Sequence, residues 1–494
     1  MLRALAPFAS AFVCFAGFSA LVSAEGLDQG EGVLFGQPVA EAPELSDEEI
    51  EERRLALEAM FEEKGWQQEG SVVGPADLFA DGPDPQAAQA ADWDYPPHRA
   101  TIFLNFFGGE MTNGTNASLM ESGCIAGKMM YPGFNGGEAK ALAIIETFES
   151  KLAPYGVRVA YDKAPPPELP YQMVMMGGQP TDVGFGNGTL GVSCSSDCGD
   201  RWWRDTTLAF TEASNQTNVL ATTALQEAAH AFGLGHIDGS GMIMYPFATA
   251  GSKAWAQECT VYNDATGGIN CKPTHDIWCG GGAQDDNAEL LAYFGANSPD
   301  TEPPVVEILT PEDGLELEPG SDIAIEAEVT DNHDGAGWKI MIYKDGELVD
   351  DRPSFVFEKK WTLFGLPEGT YLIRVQAVDH DRNIGASEVT VYVGNPATTA
   401  TESGGTDGSD GTAGTDGSGG TAGTDGSGGT DGSGTDGSGG TDGSDGSAGS
   451  ATTTVGETDG EDPEGCACVS SERPATGGLW LLAGLLGLLG RRRR

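Results

Sequence analysis

The sequence predicts an α/β (α+β) domain with a mixed sheet, followed by an all-β sandwich. Between residues 98 and 297, short apolar runs of strand length alternate with helical patterns, which is typical of a mixed α/β unit. From 302 to 396 the chain has period-2 strands separated by Gly, Asp, Asn and Pro, which is typical of a sandwich. A chain of 494 residues is too long for one ordinary domain, so two folded units are expected.

The first domain shows strands and helices in a clear order. Its predicted strands lie in the segments ATIFLNFFGG, GVRVAYD, YQMVMMGG and TTLAFTEAS. The segment GGEAKALAIIETFESKLAPYG has helical periodicity and predicts a helix that ends at Pro154. The segment NVLATTALQEAAHAFGLGH is rich in Ala and Leu, which favour helices, so it predicts a second helix.

The second unit, 302–396, resembles the immunoglobulin-like or fibronectin-like modules that often follow bacterial secreted enzymes. Its large apolar side chains are most simply explained as core residues. These are Phe355, Trp361, Tyr371 and Val375.

The N-terminus has the pattern of an exported protein. Residues 1–24 combine Arg3, an apolar run and small residues before the expected cleavage point, which indicates a signal peptide. Residues 25–97 are acidic and contain one amphipathic candidate helix, SDEEIEERRLALEAMFEEKGW, which Ser46 and Asp47 could cap. A removed pro-segment and a mostly disordered spacer both remain open for 25–97.

The C-terminal part predicts attachment to the cell envelope. Residues 397–465 repeat GTDGSGG with variations and predict a flexible tether, because they offer too little apolar surface to fold. Residues 466–494 contain cysteines, an apolar run and four terminal arginines. This tail resembles the tripartite sorting tails of myxobacterial surface proteins, which implies contact with the membrane and the sorting machinery. A permanent anchor is the alternative. Both place the protein at the cell surface, with release to the extracellular space as a further possibility.

The charge balance excludes several partners. Lys and Arg total 26 against 75 Asp and Glu, which gives a net charge of -49. Nucleic acid and anionic lipid are therefore not expected as partners. Calcium binding by acidic loops is a further expectation, although no complete EF-hand loop is present.

Six cysteines in the first domain predict disulfides. An even set in an exported chain allows three bridges among 15 connectivities, and none of the spacings gives the paired CxxC of a zinc ribbon. The six are Cys124, Cys194, Cys198, Cys259, Cys271 and Cys279.

We expect the catalytic and metal-binding residues in the segment QEAAHAFGLGHIDGSGMIMYPF, residues 226–247. Positions one and five of the pattern HExxHxxGxxH share one helical face, so both can hold one metal ion. The Glu between them lies close enough to take a proton from water, and the Gly lets the chain turn toward a third ligand. Here Glu227, His230, Gly233 and His236 occupy the base, second-ligand, turn and third-ligand positions.

This segment resembles the matrixin branch of the metzincin zinc proteases. Met244 follows His236 by eight residues and continues into Tyr245 and Pro246, which matches the methionine turn of that branch. The resemblance implies zinc held by His230 and His236, Glu227 as general base, and a protein or peptide substrate. It is close over about 22 residues, with looser support over 98–296.

Gln226 departs from the family pattern, because it stands where the first histidine ligand is expected. A neutral carboxamide binds zinc more weakly than an imidazole does. Gln226 could still coordinate through its oxygen, or Asp238, His98 or His275 could complete the site. In a third outcome the site is degenerate and the domain is a pseudoprotease that binds peptides at the surface. We expect a secreted, surface-anchored zinc metalloendopeptidase, with the inactive surface-binding protein as the alternative.

Overall fold

The structure is a computed structural model. It describes residues 33–34, 37–41, 43–80, 96–198, 204–333, 335–353 and 360–394. The predictions for the signal peptide 1–24, the tether 397–465 and the tail 466–494 lie outside the described residues. Within the described ranges, no helix has the length and apolar character needed to cross a membrane.

Five α-helices lie in the described part of the chain. They are α1 Asp47–Lys64, α2 Glu138–Leu152, α3 Thr217–Phe232, α4 Lys272–Cys279 and α5 Asp286–Phe294. The predicted helices are confirmed as α1, α2 and α3. Ser46 caps α1 in a capping box with Glu49, and Gly65 closes the helix in the left-handed conformation.

Fourteen strands precede the sandwich. They are β1 Val33–Leu34, β2 Gln37–Pro38, β3 Trp66–Glu69, β4 Val72–Pro75, β5 Ala100–Asn105, β6 Gly109–Asn113, β7 Glu121–Ser122, β8 Met129–Tyr131, β9 Val157–Ala160, β10 Gln172–Met176, β11 Gly191–Val192, β12 Thr206–Ala209, β13 Thr260–Val261 and β14 Ala283–Gln284.

The five-stranded central sheet has the order β11-β12-β10-β5-β9. Its strands run parallel except β11, which pairs with β12 in the antiparallel sense. The prediction of a mixed sheet is therefore confirmed. The edge strand β11 is only two residues long, and it borders the candidate site described below.

The central sheet separates two cores because side chains alternate along each strand. On one face, Ile102 and Leu104 of β5 pack with residues of α2 and α3. On the other face, Phe103 packs with residues of the β6–β8 region and with Leu57 and Phe61 of α1. The N-terminal helix thus contributes to the core of the domain.

The second unit is a β-sandwich, as predicted. Its strands are β15 Val305–Thr310, β16 Leu315–Leu317, β17 Ile323–Thr330, β18 Gly337–Lys344, β19 Glu347–Pro353, β20 Lys360–Leu363, β21 Gly369–Val378 and β22 Ile384–Val393. They form two sheets, β15-β17-β20 and β16-β22-β21-β18-β19. Trp361, Tyr371 and Val375 lie in the core as expected, whereas Phe355 lies outside the described residues.

All six predicted cysteines form disulfides. The pairs are Cys124–Cys194, Cys198–Cys271 and Cys259–Cys279. Cys198–Cys271 ties the chain before β12 to the start of α4, next to the end of α3.

The α/β domain and the sandwich pack against each other through polar groups. Arg99 contacts Asp381 at 3.4 Å and the ring of His333 at 3.1 Å. Thr101 Oγ1 lies 2.9 Å from Nδ1 of His380 in the sandwich. These contacts fix the position of the sandwich on the edge of the sheet that carries β5 and β9.

Candidate functional site

The site is built at the C-terminal end of α3, where the helix turns sharply. Gln226, Glu227 and His230 are buried on this helix. Gly233 ends it with φ of 117°, a conformation that favours glycine, and its N–H bonds the carbonyls of Ala229 and His230. The turn at Gly233 brings the chain back toward the helix.

His230 and His236 meet after this turn. Their Nε2 atoms lie 3.0 Å apart, and the rings cross at 78°. Nδ1 of His230 lies 2.7 Å from the carbonyl of Leu234, so it carries the proton and leaves Nε2 with a lone pair in the neutral ring. Nδ1 of His236 lies 3.2 Å from the hydroxyl of Thr266. The Nε2 atoms of both rings therefore face the same point.

Burial keeps both imidazoles neutral. It lowers the pKa of His230 to about 4, despite the opposing effect of the Leu234 carbonyl. Burial and the neighbouring His230 hold the pKa of His236 well below its usual value. Neutral imidazoles are the form that binds metal.

The pair fits two positions of a zinc site. Two ligands at zinc–nitrogen distances of about 2.0–2.1 Å in tetrahedral geometry have nitrogens roughly 3.3 Å apart, close to the observed separation. However, no third His, Cys, Asp or Glu within the described ranges completes a cluster around them. A three-ligand set would therefore need Gln226.

Gln226 is buried, with 5% of its surface exposed. Its Nε2 donates a hydrogen bond to the carbonyl of Tyr245 at 3.0 Å. The amide is thus fixed by its nitrogen, which ties the helix to the segment after the methionine turn.

The other proposed ligands belong to other networks. Asp238 accepts a hydrogen bond from Asn263, and His275 bridges the carboxylate of Glu289 and the carbonyl of Asn270. His98 is buried close to Gly335, at the boundary with the sandwich. None of the three joins a cluster with the histidine pair in the part of the chain that the structure describes.

The segment at Met244 lies next to the turn that carries His236. Met244 is fully buried, and its carbonyl accepts a hydrogen bond from the N–H of Ile237, the residue after His236. The ring of Tyr245 is partly exposed and packs against Phe247, while Pro246 is buried. These contacts support the turn that carries His236.

Glu227 is buried among apolar and backbone groups, with 1% of its surface exposed. Burial raises the pKa of its carboxyl well above the usual value, and the nearby hydroxyl of Ser71 opposes this only partly. That contact falls short of a hydrogen bond, because neither Oγ of Ser71 nor Oε2 of Glu227 has a hydrogen-bond partner. Gly191 of β11 packs against the side chain, since a Cβ there would lie 2.5 Å from Cγ of Glu227.

The segment β3–β4 covers this region. Val73 donates its N–H to the carbonyl of Ser193 at 2.8 Å, and Ser193 donates to the carbonyl of Ser71 at 2.8 Å. β4 therefore extends along the edge of the sheet beside β11. At its start, Gly70 lies against Thr266, the residue that contacts His236. The N-terminal segment spans the site from Glu227 to the histidines.

Sequence reasoning did not find the residues that support His236. Gln284 accepts a hydrogen bond from the N–H of Gly235 at 2.7 Å and donates to the carbonyl of Gly235 at 3.1 Å. Asp286 accepts from Gln284 at 2.7 Å. These residues follow the motif by about 50 positions, and no local pattern marks them.

Acidic loop residues gather elsewhere. Carboxylate oxygens of Asp300, Asp331 and Asp379 lie within 4.8 Å of one another at the base of the sandwich, the one such group in the described ranges. An acidic cluster alone does not identify an ion. The expectation of calcium stays a prediction.

Comparisons with known proteins find relatives of the sandwich only. The model of a bacterial Ig domain matches residues 304–375, and no metzincin model matches the chain. The fibronectin(III)-like modules of CbhA from Clostridium thermocellum are 25% identical, over 18% of this chain and 94% of that chain, with a TM-score of 0.15. The PKD domain of human KIAA0319 is 17% identical, over 20% of this chain and 90% of that chain, with a TM-score of 0.14. No curated protein matches the sequence.

Proposed function

We propose that residues 98–297 form a metzincin-like zinc metalloendopeptidase that acts at the cell surface. The observation that carries the proposal is the convergence of the Nε2 atoms of His230 and His236 at 3.0 Å. Their Nδ1 atoms face fixed oxygens, so both metal-binding nitrogens are oriented before any ion arrives. Glu227 precedes His230 by three residues on the same helix, which places an acid–base group on the adjoining turn.

The residues present suggest a division of roles. His230 and His236 would hold zinc through Nε2, with the amide oxygen of Gln226 as the remaining candidate. When bound, zinc would supply Lewis-acid polarisation of the scissile carbonyl. Glu227 would accept a proton from the attacking water at its carboxylate and return it to the leaving amine. Gly191 leaves room for that carboxylate next to the sheet edge.

The N-terminal segment supports the pro-segment interpretation of residues 25–97. Residues 43–80 of it are folded, and Val73 is fully buried in the core of the domain. Because Ser71 faces Glu227 and β4 follows the sheet edge, substrate would have to displace this segment. The full chain would therefore be latent, and cleavage in 81–95 would release its activity.

The surface location rests on the second unit. A bacterial Ig domain is typical of extracellular or surface proteins, and it follows the α/β domain directly. The tail 466–494 would attach the chain to the envelope, and a protein or peptide would be the partner of the enzyme.

The test uses the exported full chain with a specific cleavage site inserted in 81–95. We expect zinc by elemental mass spectrometry and cleavage of a protein substrate after the segment is cut, both lost in His230→Ala. The matched control is His333→Ala in the sandwich. Failure of the cut, zinc-loaded protein to cleave a broad peptide library would refute the enzyme proposal.

One observation favours a second candidate, a peptide-binding protein without catalysis. Nε2 of Gln226 donates to the carbonyl of Tyr245, so a contact within the protein already holds the amide at the first-ligand position without an ion. In that case the cut protein would bind peptides along β11 without zinc and without cleaving them.

A further inference from the structure

A recess beside Gln226 contains a buried lysine. The recess has a volume of about 470 Å³ and lies between α2, the first half of α3 and the loop after the methionine turn. Thr222, Ile243 and Lys253 line it, and the same three residues line a narrow space of about 10 Å³ that borders Gln226. The recess therefore adjoins the space beside the first candidate ligand.

Lys253 is the buried charged group among the residues that line this recess, with 6% of its surface exposed. Its ammonium group donates to the carbonyl of Ser240 and the hydroxyl of Thr249, which are both neutral. Burial lowers the pKa of Lys253, and no acidic side chain in the described part of the chain offsets the effect. A buried cation without a counter-charge is costly, so an incoming anion would be stabilised there.

The wall of the recess is suited to a carboxylate. Besides Lys253 it offers hydroxyl groups from Ser150 and Ser252, which can donate to an anion. One carboxylate, Glu146, and one further ammonium group, Lys151, also line it. The lining is thus net positive in a chain whose overall charge is -49.

We infer that the recess binds the carboxylate of an Asp or Glu side chain of a peptide, and that Lys253 is the residue that selects it. The inference rests on the proposed function, because it takes the ligand to be a peptide bound along the same site. A carboxylate reaching Lys253 would form a largely desolvated ion pair, whereas the matching amide would leave the ammonium group without a counter-charge. The expected substrate class is therefore an acidic peptide.

Binding is tested first, in the full chain, because residues 43–80 do not line the recess. The probes are N-acetyl-glutamate amide and N-acetyl-glutamine amide, titrated by NMR. We expect the glutamate probe to bind at least about tenfold more tightly, which corresponds to about 1.4 kcal/mol. Lys253→Met should abolish the difference, and Lys253→Arg should retain it.

The control variant is Lys128→Met, since Lys128 is exposed and pairs with Glu110 outside the recess. Thermal melts identify a Lys253→Met protein that fails to fold, in which case the Lys253→Arg result decides. Equal binding of the two probes to the native chain overturns the inference.

A second measurement separates this inference from the proposed enzyme. If the cut protein cleaves a peptide library, we expect Asp or Glu to be enriched at one position beside the scissile bond and lost in Lys253→Met. Cleavage without an acidic preference would overturn the inference and leave the enzyme proposal standing. Selective binding of the glutamate probe without any cleavage would support the recess and refute the enzyme.

Discussion

The Nε2 atoms of His230 and His236 face each other at 3.0 Å. The Nδ1 atom of His230 contacts the Leu234 carbonyl, and the Nδ1 atom of His236 contacts the Thr266 hydroxyl. Two buried neutral imidazoles in this arrangement can share one proton or one metal ion. We propose that the residue at the remaining ligand position, Gln226, decides between the two.

Gln226→His should therefore strengthen zinc binding. An imidazole supplies a better donor than the carboxamide, and loss of even a supporting group around zinc commonly costs about 10–100-fold in affinity. We expect at least a tenfold lower zinc dissociation constant, measured by competition with a chelating dye in the cut protein. Thr222→His, one turn earlier on the helix, is the matched control. An unchanged zinc affinity would show that position 226 does not face the ion.

Gly191→Ala should weaken the domain and disturb Glu227. The added Cβ would lie 2.5 Å from Cγ of Glu227, so the side chain or the edge strand must move. Overpacking of this kind costs about 1–3 kcal/mol. Urea unfolding measures the loss, and Gly186→Ala, where a Cβ meets open space, provides the control. Equal stabilities for the two variants would contradict the close packing at Gly191.

The helices and the motif could be predicted from sequence because their signals are local. The periodicity of 217–232 and the position of Gly233 fix where α3 ends and where the chain turns. The pattern also identified His230 and His236 as a pair. Their supporting groups Thr266 and Gln284 could not be found, because they approach the motif only in the folded chain.

The strand β4, which covers the site, could also not be predicted from the sequence. β4 has the sequence VVGP, which is too short to distinguish from a loop. The neighbouring edge strand β11 is two residues long and contains Gly191. β4 pairs with β3, and the bridge between Val72 and Ser193 that places β4 beside the site forms only in the folded chain. The disulfide pairs were open for the same reason, since spacing alone allows 15 connectivities.

Acid should destabilise the contact between the α/β domain and the sandwich. Burial first, and then the charges of His98, Arg158 and Arg99, hold the pKa of His380 well below its usual value. A histidine with a lowered folded pKa contributes stability above its unfolded pKa of about 6.5, and that stability is lost as pH falls toward the folded pKa. The loss is up to about 1.4 kcal/mol per pH unit.

His380→Gln should flatten this dependence. The carboxylates at the same boundary, Asp379 and Asp381, remain in the variant, so the comparison isolates the imidazole. We expect a smaller drop in melting temperature between pH 7 and pH 5 than in the native chain. His333→Gln, a partly exposed histidine at the same boundary, serves as the control. An identical drop in His380→Gln and the native chain would assign the acid effect to other groups.

Asp331→Asn should stabilise the sandwich at neutral pH. Burial and the carboxylates of Asp379 and Asp300 raise the pKa of Asp331 to about 6. The folded state therefore holds this proton more tightly than the unfolded state, so stability falls as pH rises from about 4 to about 6. In chelator, we expect a higher melting temperature for the variant at pH 7.5 and little difference at pH 4.

The exposed Asp264→Asn is the control for this measurement. A lower melting temperature for Asp331→Asn in chelator would contradict the repulsion argument. Repeating the melts with excess calcium tests the expectation of calcium binding, because an ion shared by the three carboxylates would stabilise the native chain more than the variant.

Val73→Asp should release the N-terminal segment without cleavage. Val73 is fully buried against the face of the sheet that packs with α1, and an unpaired carboxylate there is costly. If 43–80 act as a pro-segment, we expect limited proteolysis to remove the segment faster and peptide cleavage by the uncut chain to rise at least about tenfold. Glu62→Gln on the exposed face of α1 should change neither rate. A variant in which the segment is released but the activity stays at that of the native uncut chain, although zinc is bound, would show that β4 does not block the site.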